Sequence, residues 1–189
     1  MASDRPWWRS EAGVILLERL LAVALAGLIA AAIMVLWQKQ QETYFRGSEA
    51  AQVQQDARAA LELIARDLRQ AKTVSMAAAA GITFQSAADR DPAPPRTFDL
   101  GAATGCASLC IRYDRGDGTG PQPIADGLVP TGLQFTYRDA TGTALPALPL
   151  SATDRLRIRQ IDITLVAQMI LPNPDPPFTF ASSVQLRNR

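Results

Sequence analysis

The sequence contains no histidine, and this absence excludes several kinds of catalytic and metal site. Histidine is the usual general base near neutral pH, so neither a Ser-His-Asp nor a Cys-His arrangement can be formed. Two thiols without histidine also make a zinc site improbable. The small-residue segment 101–105 is not followed by lysine and lacks the pattern of a phosphate-binding loop. We therefore expect no enzyme, no metal and no cofactor.

Cysteine is almost absent as well, since Cys106 and Cys110 are the only two in the chain. If the C-terminal part of the protein lies outside the cytoplasm, these two residues can form one disulfide that closes a small loop. The alternative is a pair of reduced side chains that pack as small apolar groups.

Neither sign of charge is in large excess, because the chain has 19 Lys and Arg residues and 18 Asp and Glu residues. The net charge of +1 creates no basic field, so we do not expect nucleic acid as a partner. The charges among the first twelve residues also nearly cancel, and the positive-inside rule therefore says little about orientation in a membrane.

Proline is missing between Pro6 and Pro92, which leaves a long stretch free to form an uninterrupted helix. Within this stretch, residues 20–37 carry no charge, and four further apolar residues precede Glu18. About 20 apolar residues are enough to cross a ~30 Å hydrocarbon core as a helix. A secretory signal peptide has a shorter apolar core and a small-residue cleavage site after it, which this run lacks. We predict a membrane-spanning helix over residues 14–37.

Glu18 lies inside this predicted span and requires an explanation. A carboxylate in a spanning helix costs roughly 2.5 to 3.5 kcal/mol at the membrane centre and normally has a partner. One hypothesis is that Glu18 pairs with its neighbour Arg19 or extends to the lipid headgroups. The other is that the counter-charge comes from a second subunit.

The N-terminal pattern combines a short polar leader ending at Gly13, an acidic residue five positions later and a long apolar helix. It resembles the class III signal of type IV prepilins and type II secretion pseudopilins. The resemblance implies that a prepilin peptidase cuts between Gly13 and Val14 and methylates the Val14 amine. It also implies that Glu18 sets subunit registry by pairing with the Val14 amine of a neighbour. Two positions depart from the family pattern, since Val14 replaces the usual phenylalanine and Arg19 replaces an apolar residue.

Residues 38–72 are more polar and continue the helical pattern. Their apolar residues fall within one arc of a helix, which predicts that one stripe packs on a globular core: Val53, Ala57, Leu61, Ile64, Leu68 and Ala71. Gly27 and Gly47 are the positions where the helix is most easily bent. The segment from Gln52 to Ala71 also resembles PilW-type minor pilins and PulJ-type pseudopilins. The resemblance is close over residues 13–72 and loose beyond them.

Beyond residue 72 the apolar residues alternate, which predicts strands with one buried face. The proline-rich segments 91–95 and 172–177 and the turn segments 117–120 and 139–142 are expected to be loops. Together with the helix they predict an α+β fold, one long N-terminal helix packed on an antiparallel sheet, which is the pilin architecture. The predicted strands contain Ile82/Phe84, Leu109/Ile111/Tyr113, Leu133/Phe135/Tyr137, Phe178/Phe180 with Val184/Leu186, and Arg155 to Met169, with a bulge or short turn at Gln160.

Several acids surround the glycine-rich segment from Asp114 to Gly120, with Asp126 further along. Oxygen-rich loops of this kind can bind calcium. The spacing does not match the twelve-residue EF-hand pattern, and its closing glutamate is missing. We favour a hairpin connection and leave a calcium site open.

These features predict a leader at 1–13, a transmembrane half-helix at 14–37, an amphipathic half-helix at 38–72 and an extracytoplasmic β-rich domain at 73–189. The resemblance implies a PilW-like minor pilin at the tip or base of a type IV pilus, anchored in a bacterial inner membrane with its N-terminus in the cytoplasm. Its partners would be other major and minor pilins, the prepilin peptidase, the inner-membrane assembly platform and lipid. A PulJ-like pseudopilin is one alternative, and a signal-anchored periplasmic binding or sensor module is another.

Overall fold

A computed structural model of the protein describes residues 11–89, 92–106, 108–146, 148–169 and 176–187, with the backbone alone at 11–14. The chain divides into two units between Ser48 and Glu49. One helix, α1 (Glu11–Arg69), contributes residues to both units.

The first unit is helical from residue 11 onward. Every side chain from residue 15 to residue 48 is exposed, and the helix is assigned without interruption through Gly27 and Gly47. The two glycines that were expected to allow a bend therefore do not end the helix.

The second unit contains a seven-stranded sheet whose strands follow one another in chain order, each antiparallel to the next. Because each strand pairs with the next one along the chain in antiparallel orientation, no crossover connection is needed. A short helix, α2 (Ala152–Arg157), lies between the fifth and sixth strands. The strands are β1 (Ala71–Ala77), β2 (Gly81–Ser86), β3 (Pro95–Gly101), β4 (Leu109–Asp114), β5 (Gln122–Arg138), β6 (Gln160–Ala167) and β7 (Phe178–Gln185).

The core forms where the last five turns of α1 pack on one face of the sheet. Ala57, Leu61, Ile64 and Leu68 are buried there as predicted. Leu61, Ile64 and Leu68 join buried residues from every strand of the sheet in one cluster. Val53, at the start of the predicted stripe, is only half-buried. The predicted α+β fold, a long N-terminal helix packed on an antiparallel sheet, is confirmed.

The helix ends earlier than the sequence indicated. It stops at Arg69 instead of residue 72, and Ala71 is buried as the first residue of β1. The register of β1 against β2 shifts twice, so its buried residues recur every third position. Buried residues three positions apart resemble the spacing on one face of a helix. A search for alternating apolar residues therefore does not detect this strand.

The prediction of a strand from Arg155 was wrong for its first part. Residues 152–157 form α2, capped by Ser151, whose Oγ accepts a hydrogen bond from the Asp154 N–H at 3.2 Å. Serine is a favoured cap because it satisfies one of the free N–H groups of the first turn. The change of phase at Gln160 therefore marks the start of β6 after a helix, not a bulge within one strand.

Strand β3 was not predicted, and Pro95 had been assigned to a loop. Pro95 is the first residue of β3, where the missing N–H is tolerated even though β3 lies between β2 and β4. Both predicted turn segments contain turns. Between β4 and β5, Asp117 Oδ1 accepts from the Thr119 N–H at 3.0 Å, and just after β5, Asp139 Oδ1 accepts from the Thr141 N–H at 2.9 Å. Residues 170–175 of the second proline-rich loop lie outside the described part.

Candidate functional site

The most distinctive surface of the protein is the apolar surface of α1 from Ile15 to Trp37. Its large apolar side chains are between 50 and 71% exposed. An 18-residue window of this helix has a mean hydropathy of 2.7, so the helix is long and apolar enough to cross a membrane. Continuous apolar surface of this extent marks a contact with lipid or with another protein.

Glu18 projects from this apolar surface and is exposed, as is Arg19. In the part of the chain whose side chains are described, no ion pair or hydrogen bond of the Glu18 carboxylate is found, and Arg19 does not serve as its partner. A carboxylate in an apolar environment normally has a counter-charge. The counter-charge of Glu18 is thus not supplied by its described surroundings.

Small residues lie on the same side of the helix as Glu18. Ala22, Ala26 and Ala30 follow it at intervals of four, which places them along one side of a helix. At Gly27 a Cβ atom would meet nothing within 4 Å, so the fold of the chain does not itself require glycine there. Small residues at this spacing allow two helices to approach closely in a membrane.

The predicted cleavage and methylation residues, Gly13 and Val14, lie within α1 by their backbone. The side chain of Val14 and residues 1–10 of the leader are outside the described part. Cleavage after Gly13 and methylation of Val14 stay predictions.

Cys106 and Cys110 are joined by a disulfide. Cys110 is fully buried in β4, whereas Cys106 lies in the loop before it. The bond therefore anchors the start of β4 to the preceding loop and gives the pair a structural role.

The acidic segment from Asp114 to Gly120 uses its carboxylates to shape turns. Asp114 Oδ1 accepts from the Gly116 N–H at 2.8 Å, and hydrogen bonds from the Thr119 hydroxyl and backbone N–H lower the pKa of Asp117. Asp126 Oδ1 accepts from the Gly127 N–H at 2.7 Å. Across the described ranges, no group of three or more acidic or cysteine side chains is arranged to hold a metal ion.

A buried polar cluster that was not predicted from the sequence lies between α1 and the sheet. Asp67 is only 5% exposed, and its Oδ2 accepts from the Tyr113 hydroxyl at 2.6 Å and from the Arg96 guanidinium at 3.0 Å. Arg96 also binds both oxygens of Asp89, at 2.6 and 2.9 Å. Burial, followed by the hydrogen bond to Asp67 and its charge, raises the pKa of Tyr113 to about 12. The cluster thus fixes the end of α1 on β3 and β4.

One signal for this cluster was present in the sequence. Asp67 follows Ile64 by three positions and Ala60 by seven, which places it on the buried side of the helix. A charge at such a position needs a buried partner, because an unpaired one is strongly unfavourable. The identity of its partners could not be inferred, since they come from strands 29 and 46 residues away.

A groove of about 570 Å³ runs between the last turns of α1 and the strand β7. Ala65, Arg66 and Arg69 line it from the helix, and Ala181 and Ser182 line it from the strand. All of these residues belong to the second unit. The groove has room for an additional segment of chain, but the residues around it form no catalytic arrangement.

No family model matches the chain, and no curated protein matches it in sequence. Among solved structures, the chain is similar to a type IV-like pilin from Thermus thermophilus, with 13% sequence identity. The match covers 71% of this chain and 96% of that chain, with a TM-score of 0.38.

Proposed function

We propose that this protein is a pilin-like subunit that assembles with other subunits through the apolar half of α1. The observation that carries the proposal is the continuous exposed apolar surface from Ile15 to Trp37, with a carboxylate near its start that has no described partner. Such a surface is stable in lipid before assembly and among other apolar helices afterwards. The resemblance of the Gly13–Glu18 region to prepilin signals supports the same role.

In this proposal Glu18 is the element that sets registry between neighbouring helices. Removal of the leader after Gly13 creates a free amine on Val14, which the peptidase then methylates. The amine of one subunit would lie beside the Glu18 carboxylate of the next, and this pairing would compensate the cost of a charge within the apolar layer. The stripe formed by Ala22, Ala26 and Ala30 would let the two helices approach closely.

The more specific assignment is a PilW-like minor pilin at the tip or base of a type IV pilus. The resemblance of the segment from Gln52 to Ala71 to minor pilins supports it. The subunit would lie in a bacterial inner membrane with a cytoplasmic N-terminus and a periplasmic sheet domain. Its partners would be major and minor pilins, the peptidase and the assembly platform. A PulJ-like subunit of a type II secretion pseudopilus shares the same N-terminal pattern and is the second candidate.

Replacement of Glu18 tests the proposal directly. In cells that make the native partner pilins, Glu18→Gln is expected to lower the amount of this subunit in sheared filaments at least tenfold relative to the membrane fraction. The matched control is Glu42→Gln, which changes an exposed carboxylate of the same helix outside the apolar run and should have no effect. Unchanged incorporation of Glu18→Gln would remove the proposed role of this residue.

The mature N-terminus separates a pilin from a monomeric signal-anchored module. Mass spectrometry of the membrane-extracted protein is expected to show a chain that begins at a methylated Val14. A chain that keeps residues 1–13 while it functions would contradict assembly through a processed helix and would favour the anchored module.

A further inference from the structure

The two edges of the sheet differ in how they are protected from pairing with another strand. β1, at one edge, shifts register twice against β2 and carries Lys72. The carbonyl oxygen of its last residue, Ala77, accepts from the Leu150 N–H at 2.9 Å. Irregular register and lysine are devices by which natural proteins prevent an edge strand from recruiting a new partner. β1 is therefore a protected edge.

β7, at the other edge, has none of these devices. Its eight residues pair with β6 in unbroken register, and none of them is charged or proline. Among the described residues, no strand pairs with its outer side. In an antiparallel pair, about half of the N–H and C=O groups of an edge strand point away from the sheet. β7 thus presents a regular row of main-chain donors and acceptors.

The groove of about 570 Å³ lies beside the middle of β7. Ala65 on the helix side and Ala181 and Ser182 on the strand side are small, which leaves room beside the backbone. A strand added to β7 would lie about 4.8 Å from it and would pass this groove at Ala181 and Ser182. Addition of a strand to an open edge obtains affinity from main-chain hydrogen bonds and specificity from alternate side chains.

Positive charge predominates around the groove. Arg66 and Arg69 line it, and Arg58 lies over the ring of Phe180 at 5.6 Å. The side chain of Arg66 is 68% exposed although it approaches Asp67 Oδ1 at 3.7 Å. Glu62 is the acidic residue of the lining, and β7 itself contributes no charge. The edge is therefore suited to an acidic partner.

A second copy of this chain fits less well than a different polypeptide. Two copies that paired through β7 would be related by a two-fold axis, so each would bring the same arginines toward that axis. Like charges placed opposite one another oppose association. Carboxylates on a different chain would have the complementary sign.

We propose that the outer edge of β7 is a docking site for an extended, acidic segment of another polypeptide, which adds to the sheet as an eighth strand. Its main chain pairs with β7, and its carboxylates face Arg66 and Arg69. The proposal depends only on the second unit, and it stands or falls separately from assembly through the apolar helix.

The test uses the full chain in neutral detergent micelles and a capped octapeptide that alternates valine with glutamate. A valine–lysine octapeptide is the matched control. Isothermal titration is expected to show at least tenfold tighter binding of the acidic peptide. Hydrogen exchange is expected to show added protection of amides within residues 178–185 and none within residues 71–77.

Charge reversal provides the matched variants. The double change of Arg66→Glu and Arg69→Glu, both exposed, is expected to invert the preference toward the lysine peptide. Arg115→Glu, at an exposed turn after β4, should leave the preference for the acidic peptide unchanged. Equal binding of both peptides, no binding of either, or protection outside β7 would overturn the proposal. Concentration-dependent dimers that protect β7 would overturn it in favour of a second copy of the chain.

Discussion

The two parts of α1 belong to one helix but have opposite surroundings. From residue 15 to residue 48 no side chain is buried, whereas from residue 49 to residue 69 a stripe that includes Ala57, Ile64 and Leu68 is buried against the sheet. The later part is stabilised by tertiary packing, as most helices in globular proteins are. Among the described residues, the earlier part has no such packing. One continuous element is therefore apolar and exposed in one part and contributes to the core in the other.

The largest expected effect is a loss of stability on substitution in the buried part of α1. Leu68→Ala, at a residue that is fully buried, should lower the free energy of unfolding of the sheet domain by about 2–5 kcal/mol, because the cavity adds to the lost transfer energy. Leu28→Ala makes the same change at a residue that is 70% exposed and should leave the free energy of unfolding of the sheet domain unchanged. Urea titration in micelles, followed by near-ultraviolet circular dichroism, measures both. Equal effects at the two positions would remove the contrast between the two parts of the helix.

The buried polar cluster predicts a smaller effect that depends on pH. The pKa of Tyr113 is raised from 10.0 to about 12 in the folded protein, so folding favours the neutral phenol. This contribution is present below pH 10 and is lost as the pH rises toward 12. At about 1.4 kcal/mol per pKa unit, a shift of two units corresponds to on the order of 3 kcal/mol.

Tyr113→Phe should flatten the decline of stability between pH 10 and pH 12, measured by urea titration at each pH. Burial also raises the pKa of Tyr137, but Tyr137 is present in both proteins, so the difference between them isolates Tyr113. Identical pH profiles would show that the hydroxyl of Tyr113 is not coupled to folding.

The smallest expected change in stability is at the two glycines of α1, Gly27 and Gly47, which should differ in their effect on assembly. A Cβ atom at either Gly27 or Gly47 would meet nothing within 4 Å. Alanine at either position should stabilise the helix by about 1 kcal/mol, measurable by amide exchange of the neighbouring residues. Only Gly27 lies within the apolar surface, so only Gly27→Ala should also reduce incorporation into filaments, by hindering close helix packing. Equal incorporation of the two variants would argue against a contact at Gly27.

Most strands with regular burial could be predicted from the sequence. β2, β4, the second half of β5 and β7 each place apolar residues at alternate positions, and the structure contains them. β3 was missed because Phe98 is its only buried residue, so it has no alternation to recognise. The capping serine of α2 was present in the sequence, but the helix has no buried residue and thus no apolar stripe.

The candidate site in the first unit could be predicted from the sequence, whereas the one in the second unit could not. The apolar run and Glu18 are evident because membrane insertion depends on local composition, which the sequence displays directly. The open edge at β7 and the arginines beside it could not be inferred. Their proximity depends on packing between residues more than 100 positions apart, such as Arg66 and Ser182.

The sequence by itself determined the helical stem, its apolar and amphipathic parts, and the α+β class, because periodicity and uninterrupted apolar length act locally along the chain. Only the tertiary structure decided where α1 ends, which edge of the sheet stays open, and which groups surround Asp67. These features arise when strands distant in sequence are brought into register against the helix, and their free energies depend on burial and distance. No local pattern of residues encodes either quantity.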